Sequence, residues 1–225
     1  MKEKVIFSWS GGKDGALAFY ELQKTQNYEI LALLTTVVQD YDRISIHGVR
    51  RVLLERQAES LGLPLEIVFI SKDTTDEEYE SKMQEVLTRY RARGVCSVVF
   101  GDIFLQDIRK YREKNLAKIA MKGIFPIWQR KTCELAQEII ELGFKTVITC
   151  VDSSFLEKAF TGRVFDKQFL SELPCTVDPC GENGEFHSFV YDGPIFQERI
   201  AQTTGEIALR ENRFYYCDLM PSEKH

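Results

Sequence analysis

A polar turn near the start of the chain carries residue types that bind phosphate. It lies between an apolar run at residues 5–8 and a helix-like segment that begins at residue 16. A strand followed by a glycine turn and a helix directs unpaired backbone N–H groups and the positive end of the helix dipole at one point, which favours a bound anion. The candidate anion-binding residues of this glycine turn (residues 8–15) are Ser8, Ser10, Gly11, Gly12, Lys13, Asp14 and Gly15.

The types of these residues suit a chain of phosphates. Gly11 and Gly12 tolerate a positive φ and lack the Cβ atoms that would keep a phosphate oxygen from the backbone. The serine hydroxyls add hydrogen-bond donors, and Lys13 adds a positive charge. The four-residue gap of the commoner Gly-x-x-x-x-Gly-Lys-Ser/Thr nucleotide loop is absent. The sequence therefore predicts a phosphate site of a different type.

A second group of polar residues lies in the last third of the chain, at residues 178–194. Five glycines and prolines, several carboxylates and one of the three histidines fall there, which favours an ordered binding loop. Two carboxylates could recognise an amine or take its proton, and the histidine could act as a general base or hold the loop through backbone hydrogen bonds. The candidate substrate-binding residues of this acidic loop (residues 178–187) are Glu182, Asn183, Glu185 and His187.

The composition of the 225-residue chain argues against several classes of protein. Its 29 basic and 34 acidic residues give a formal charge of −5, which argues against a broad nucleic-acid-binding surface. The start of the chain has no apolar signal segment, and no stretch approaches the roughly 18 apolar residues of a membrane span. We therefore predict a cytoplasmic protein without membrane contact. The six scattered cysteines form no Cys-x-x-Cys pair, which argues against a zinc ribbon.

Apolar runs alternate with helix-like segments over most of the chain, which predicts an α/β fold with a parallel sheet and helices on both faces. We expect one domain over residues 1–151 and a smaller mixed C-terminal lobe over residues 152–225. The fourth strand ends at Gly101 and Asp102, where a loop at the carboxyl edge of the sheet would meet a ligand. The five predicted strands of the sheet cover residues 5–8, 30–38, 65–70, 96–100 and 145–151.

Both loops resemble known motifs. Residues 10–15 resemble the Ser-Gly-Gly-x-Asp-Ser/Gly loop of the ATP pyrophosphatases, and residues 181–188 resemble the Gly-Glu-x-Gly-Glu-[Phe/Tyr]-His-[Thr/Ser] signature of the diphthine–ammonia ligase family. The resemblance implies a Rossmann-like fold similar to that of the adenine-nucleotide α-hydrolases, with five parallel strands. Further matches to this family are Gly101-x-Ile103 followed by Arg109 and Glu113, residues 126–128 and residues 144–151.

The same resemblance implies an ATP-dependent ligase that adenylates a carboxylate, releases AMP and pyrophosphate, and forms an amide with ammonia or an amine. The glycine turn and Gly101 would hold ATP, and Lys13 would neutralise the pyrophosphate. Asp14 is the first candidate for contact with Mg²⁺ and Asp102 the second, because this ion takes one or two carboxylates together with phosphate oxygens. Capping of the following helix is the alternative role of Asp14. The predicted catalytic residues are Lys13, Asp14, Glu185 and His187.

Residues 46–51, Ile-His-Gly-Val-Arg-Arg, depart from the tyrosine-rich segment of archaeal and eukaryotic members and resemble a bacterial branch. Together with the acidic net charge, this departure favours a small carboxylic acid over a translation factor as the acceptor. His47 in this segment could touch a substrate or phosphate, or it could face solvent or cap a helix. A homodimer is left open.

Two alternatives to a ligase remain. A non-catalytic protein of this fold could sense an adenine nucleotide, although the acidic loop would then have no role. A thiolation enzyme, ranked third, would carry sulfur on Cys175 or Cys180 and would need an RNA-binding surface. The local arginine clusters are typical of solvated helix faces and do not by themselves supply that surface.

Overall fold

The computed structural model describes residues 2–45 and 47–223 of the chain. Met1, Lys224, His225 and Ile46, the first residue of the predicted segment 46–51, lie outside the described residues. The described part of the chain forms two sheets. The strands of the first sheet are β1 (Glu3–Ser8), β2 (Tyr28–Val38), β3 (Arg43–Ile44), β4 (Leu65–Ile70), β5 (Ser97–Val99) and β6 (Lys122–Ile124).

Five strands of the first sheet are parallel, in the order β4-β2-β1-β5-β6, and the short β3 pairs antiparallel with the end of β2. The chain leaves β1 towards β2 and β4 and then returns to β5 on the other side of β1. The carboxyl ends of β1 and β5 therefore flank the switch point of the sheet, where parallel α/β folds bind their ligands.

The second sheet is antiparallel and lies in the C-terminal part of the chain. Its strand order is β8-β7-β10-β9. A 3₁₀ turn at Lys158–Phe160 and the short helix Lys167–Glu172 lie between its first two strands. The strands are β7 (Lys145–Asp152), β8 (Phe186–Asp192), β9 (Gln202–Arg210) and β10 (Phe214–Pro221).

Helices cover both faces of the parallel strands. Along β1, Phe7 packs into an apolar cluster formed with helices of one face and with the second sheet, whereas its neighbour Ile6 packs into a separate cluster on the other face. Successive residues of a strand point to opposite faces, so one strand can serve both layers. The first face carries α1 (Lys13–Thr25), α2 (Arg51–Leu61) and α5 (Thr132–Glu141), and the second carries α3 (Asp76–Ala92) and α4 (Gln106–Ala117).

Local sequence explains where two of these helices begin. Gly12 precedes α1 in an extended conformation, and Ala16, Phe19 and Leu22 on the buried side of α1 follow the spacing of one helical face. α3 begins with a capping box, in which the Thr75 hydroxyl accepts from the Glu78 N–H and the Glu78 carboxylate accepts from the Thr75 N–H.

The predicted α/β class, with five parallel strands and helices on both faces, is confirmed. The placement of residues 145–151 in that sheet is wrong, because this strand pairs antiparallel with β8 and β10. The fifth parallel strand is β6, whose three residues are too few to show a period of two in the sequence. The predicted division at residues 151 and 152 stays a prediction, and the sheet to which β7 belongs favours moving it before Lys145.

In the part of the chain that the structure describes, no helix combines the length and the apolar composition that a bilayer crossing requires.

Candidate active site

The glycine turn lies at the switch point of the parallel sheet, directly after β1. Gly11 has a φ of 79°, which favours glycine, and a Cβ at this position would lie 2.7 Å from Gln57 Oε1. Gly101 follows β5 on the other side of the switch point. A Cβ on Gly101 would lie 2.8 Å from the backbone nitrogen of Gly15, so the two loops touch through their backbones. The structure thus brings Gly101 to the glycine turn, as the sequence predicts.

Strand β8 of the second sheet holds the glycine turn. The Val190 N–H donates to the Gly11 carbonyl at 2.9 Å, and the Lys13 N–H donates to Ser188 Oγ at 3.2 Å. The buried Gln57 side chain donates to the carbonyls of Gly11 (3.1 Å) and Val190 (2.6 Å) and accepts from Trp9 Nε1 (2.8 Å). The C-terminal sheet is therefore part of the wall of the predicted phosphate site.

The Lys13 side chain extends into the protein towards the C-terminal part of the chain. It is 1% exposed, and its Nζ donates to Asp14 Oδ2 at 2.9 Å and to the Cys180 carbonyl. Nζ also lies 5.0 Å from the centre of the Phe186 ring. Burial is the largest single influence and lowers the pKa of Lys13, but Asp14, together with Cys180 and Glu182, outweighs it and holds this pKa above its ordinary value. The lysine is therefore a fixed cation between the two loops.

The two predicted metal ligands differ in what they already bind. Asp14 Oδ1 is buried and has no hydrogen-bond partner in the structure, so it can accept a ligand. Both oxygens of Asp102 accept from the Arg112 guanidinium, at 2.7 and 3.1 Å. No group of three or more His, Cys, Asp or Glu side chains among the described residues could hold a metal ion by itself. This arrangement fits Mg²⁺ held by one carboxylate and by substrate phosphates.

Glu185, a predicted substrate-binding residue, points into the acidic loop itself. The side chain is 1% exposed. Its Oε1 accepts from the Asp178 N–H (3.0 Å) and from Asn183 Nδ2 (2.9 Å), and its Oε2 accepts from the Asn183 N–H (3.0 Å). Three hydrogen bonds to one buried carboxylate fix the shape of the loop.

Glu182 reaches from the acidic loop to the loop that follows β5. Its Oε1 accepts from the Ile103 N–H at 2.7 Å, two residues beyond Gly101. Burial raises the pKa of Glu182 to about 7, although the hydrogen bond from Ile103 favours the charged form. Asn183 lies at the exposed tip of the loop. The acidic loop and the loop after β5 are thus joined by one carboxylate.

His187 lies next to His47, for which the sequence left several roles open. The centres of the His187 and His47 rings are 4.7 Å apart. A Cβ on Gly12 would lie 3.4 Å from His47 Cε1, so the histidine pair borders the glycine turn. Burial lowers the pKa of His47 to about 4, and burial together with His47 and Lys13 lowers the pKa of His187 well below its ordinary value. Both rings are neutral near pH 7.

The remaining predicted residues are two serines of the glycine turn and two cysteines. Ser10 Oγ accepts from the Gly12 N–H at 3.4 Å, and Ser8 ends β1. Cys175 is exposed, whereas Cys180 is buried and its Sγ donates to the Thr132 carbonyl at 3.4 Å. Burial raises the pKa of the Cys180 thiol, which makes it a poor nucleophile.

The fold and this site define an α/β protein with a phosphate-type glycine turn at the switch point of its sheet. Two family models match the chain, the diphthamide synthase N-terminal domain over residues 3–123 and the diphthamide synthase C-terminal domain over residues 131–220. The chain therefore belongs to the diphthamide synthase family, and the resemblance found in the sequence is confirmed.

Relatives named diphthine–ammonia ligase are similar to most of the chain. The relative from Schizosaccharomyces pombe is 24% identical over 227 residues, which cover 91% of this chain and 37% of that protein. The Homo sapiens relative is 28% identical over 225 residues, which cover 89% of this chain and 83% of that protein. The chain thus spans little more than a third of the yeast relative and most of the human one.

Solved structures are similar at a lower level. The predicted subunit of a tRNA methyltransferase from Methanocaldococcus jannaschii is 18% identical, with a TM-score of 0.41 over 62% of this chain and 75% of that one. The U34-tRNA thiolase NcsA from Methanococcus maripaludis is 19% identical, with a TM-score of 0.38 over 63% of this chain and 57% of that one.

Proposed function

We propose that the protein is an AMP-forming amide ligase. In the first step a carboxylate oxygen attacks the α-phosphorus of ATP, and the bond to pyrophosphate breaks. In the second step the nitrogen of ammonia or an amine attacks the acyl carbon, AMP leaves, and the nitrogen loses a proton. The observation that carries the proposal is the glycine turn at the switch point, in a chain whose relatives are named diphthine–ammonia ligase.

The glycine turn would bind the triphosphate of ATP. Backbone N–H groups at the start of α1 and the dipole of this 13-residue helix favour the negative charge. Asp14 Oδ1 would hold Mg²⁺, which would supply positive charge to the departing pyrophosphate. The two glycines in contact, Gly101 and Gly15, would place no side chain against the bound phosphates. These contacts would orient the α-phosphate towards the acceptor carboxylate.

The role that we propose for Lys13 differs from the one that its type suggests. Its ammonium group is held by Asp14 Oδ2 and the Cys180 carbonyl, so it orients Asp14 and ties the acidic loop to the glycine turn. Its positive charge would still favour phosphates bound at the glycine turn. Glu182 adds a second tie between the acidic loop and the sheet edge.

The acceptor side of the site would lie where His187 and His47 border the glycine turn. We propose a small carboxylic acid as acceptor and ammonia or an amine as nucleophile, which the net charge of −5 supports over a translation factor. Two neutral imidazoles beside a bound nucleotide can form hydrogen bonds with an incoming nitrogen. Thiolation through Cys180 is disfavoured, since this residue is buried and its thiol pKa is raised.

Product analysis tests the reaction type. The purified protein with ATP, MgCl₂, ammonium chloride and a panel of carboxylic acids should release AMP and pyrophosphate, which ³¹P NMR distinguishes from ADP and phosphate. Gly12→Val should lower the rate by roughly 100-fold, because its branched side chain would displace the turn from Ser188 and His47. Release of ADP and phosphate by the wild type would contradict the proposal. Tight ATP binding without turnover across the panel would favour the nucleotide-sensing alternative.

A matched pair of variants tests the metal position. Asp14→Asn should raise the MgCl₂ concentration needed for half-maximal activity, because it weakens the unpartnered oxygen. Asp102→Asn should leave that concentration unchanged, because both oxygens of Asp102 already bind Arg112. If only Asp102→Asn raised the MgCl₂ concentration needed, the metal would instead be assigned to the loop after β5.

A further inference from the structure

His47 presents an unused polar atom beside the glycine turn. Its Nδ1 is buried and has no hydrogen-bond partner in the structure. A Cβ built on Gly12 would lie 3.4 Å from Cε1 of this ring, and the ring centres of His47 and His187 are 4.7 Å apart. A buried polar atom without a partner is costly unless a ligand or water completes it. His47 Nδ1 is therefore available to a ligand or a water molecule.

The protonation state of the ring decides what kind of group this is. The Ser188 backbone raises the pKa of His47 as a hydrogen-bond acceptor does, and Nδ1 is the ring nitrogen without a partner, so we infer that the proton is on the other nitrogen, Nε2. The imidazole is neutral, so Nδ1 carries a lone pair and acts as an acceptor. A phosphate oxygen is also an acceptor and would be repelled. The fitting ligand group is an N–H or O–H donor.

The positive charge near His47 and His187 also limits the charge of the donor group that can bind there. The ammonium group of Lys13 is close enough to lower the pKa of both His47 and His187. A second cation beside these rings would be repelled, whereas a neutral nitrogen with N–H groups would not. We propose that His47, beside His187, binds the nitrogen nucleophile of the ligase reaction as neutral ammonia or amine, through a hydrogen bond to Nδ1. This inference rests on the proposed function.

The segment that carries His47 is anchored to the second sheet. Arg43 donates to the Gly48 carbonyl at 2.7 Å and to Asp218 Oδ1 at 2.9 Å. Arg50 donates to both oxygens of Asp218, at 3.0 and 2.7 Å. Two arginines on one carboxylate of β10 thus hold both sides of His47, which keeps the imidazole in place before a ligand arrives.

Histidine NMR of the full chain tests the inference without knowledge of the acceptor. The chain has three histidines, so spectra of ¹⁵N-histidine-labelled wild type, His47→Phe and His187→Phe assign the ring nitrogens. The probe is ammonium chloride at alkaline pH, where a share of it is neutral ammonia, with AMP and MgCl₂ present. Sodium chloride at equal ionic strength is the control. We expect His47 to carry its proton on Nε2 and its Nδ1 signal to move saturably with ammonium chloride but not with sodium chloride.

Three results would overturn the inference. They are a proton on Nδ1, an Nδ1 signal that ammonium chloride does not move, and an Nδ1 signal that MgCl₂ moves without ammonium, which would assign the atom to metal-bound water. The backbone amides of Gly11 and Gly12 report separately on the proposed function. If they do not respond to AMP, the nucleotide site has failed, whereas a response there with a silent His47 rejects only this inference.

Discussion

The glycine turn and the acidic loop both carry the residue types of a ligand site, yet they use their carboxylates differently. In the glycine turn, Asp14 keeps one buried oxygen without a partner. In the acidic loop, Glu185 uses both oxygens within the loop, and Glu182 binds the N–H of Ile103. A carboxylate in a binding motif can thus face the ligand or hold the loop that faces it. An oxygen that already accepts hydrogen bonds within the protein holds the loop, whereas a buried oxygen without a partner can bind the ligand.

The largest effect is expected from a substitution of Glu185. Glu185→Ala would leave the buried N–H groups of Asp178 and Asn183 without an acceptor. Each such group costs about 1–3 kcal/mol, so the free energy of unfolding should fall by about 3 kcal/mol or more. Urea denaturation measures it, with the exposed Glu59→Ala on α2 as control, expected within about 0.5 kcal/mol of wild type. An unchanged stability with lost turnover would return Glu185 to the substrate side.

The contact between the two sheet-edge loops gives the next effect. Gly101→Ala would place a Cβ 2.8 Å from the Gly15 nitrogen, and backbone atoms on both sides leave little room to adjust. We expect a loss of about 1–3 kcal/mol in the free energy of unfolding. Gly15→Ala is the matched control, because its Cβ would meet nothing closer than 4.0 Å and alanine favours the helix. Equal stability of the two variants would mean that the loops do not touch.

Gln57 lies outside both motifs, yet it holds the glycine turn to β8 through hydrogen bonds. Gln57→Leu keeps the size of the side chain but removes the acceptor of the buried Trp9 N–H and the donor to Gly11. The free energy of unfolding should fall by about 1–2 kcal/mol. ATP binding, measured by calorimetry, should weaken as well, since the turn loses its link to β8. Stability loss with unchanged ATP affinity would separate the turn's packing from its function.

The smallest effect concerns pH and Glu182. Its pKa is raised from 4.5 to about 7 by burial, so the folded state binds a proton that the unfolded state releases. The contribution of this group to stability is present below pH 4.5 and is lost as the pH rises through 7. Between pH 5 and pH 8 the wild type should therefore lose more stability than Glu182→Gln. Parallel urea midpoints for the two proteins across this range would show that Glu182 is not buried as described.

The sequence predicts the glycine turn well, because its strand, glycines and helix are contiguous and each acts locally. Gly101 could be placed beside it from the rule for switch points alone. Other features depend on distant contacts. The partners of β7 come from strands 40 to 70 residues later in the chain, and nothing local distinguishes a parallel from an antiparallel neighbour. The direction of the Lys13 side chain depends on the Cys180 carbonyl in the same way.

The proximity of the two histidines could not be predicted from the sequence. His47 and His187 are 140 positions apart in the chain, and no spacing rule joins them. The sequence gives one indication of the pair. The chain has three histidines, and two of them lie in segments compared with the ligase family, His47 in residues 46–51 and His187 in the acidic loop. Gln57 carries no signal at all, since a glutamine within an amphipathic helix is typical of the exposed face.

A crystal structure with α,β-methylene-ATP and MgCl₂ tests the central claim most directly, because this analogue cannot be cleaved between its α- and β-phosphates. We expect the phosphates on the backbone N–H groups of the glycine turn, Mg²⁺ on Asp14 Oδ1, and the α-phosphate facing His47 and His187. A nucleotide bound elsewhere, such as in the cavity between α3 and α4, with the glycine turn empty, would contradict it.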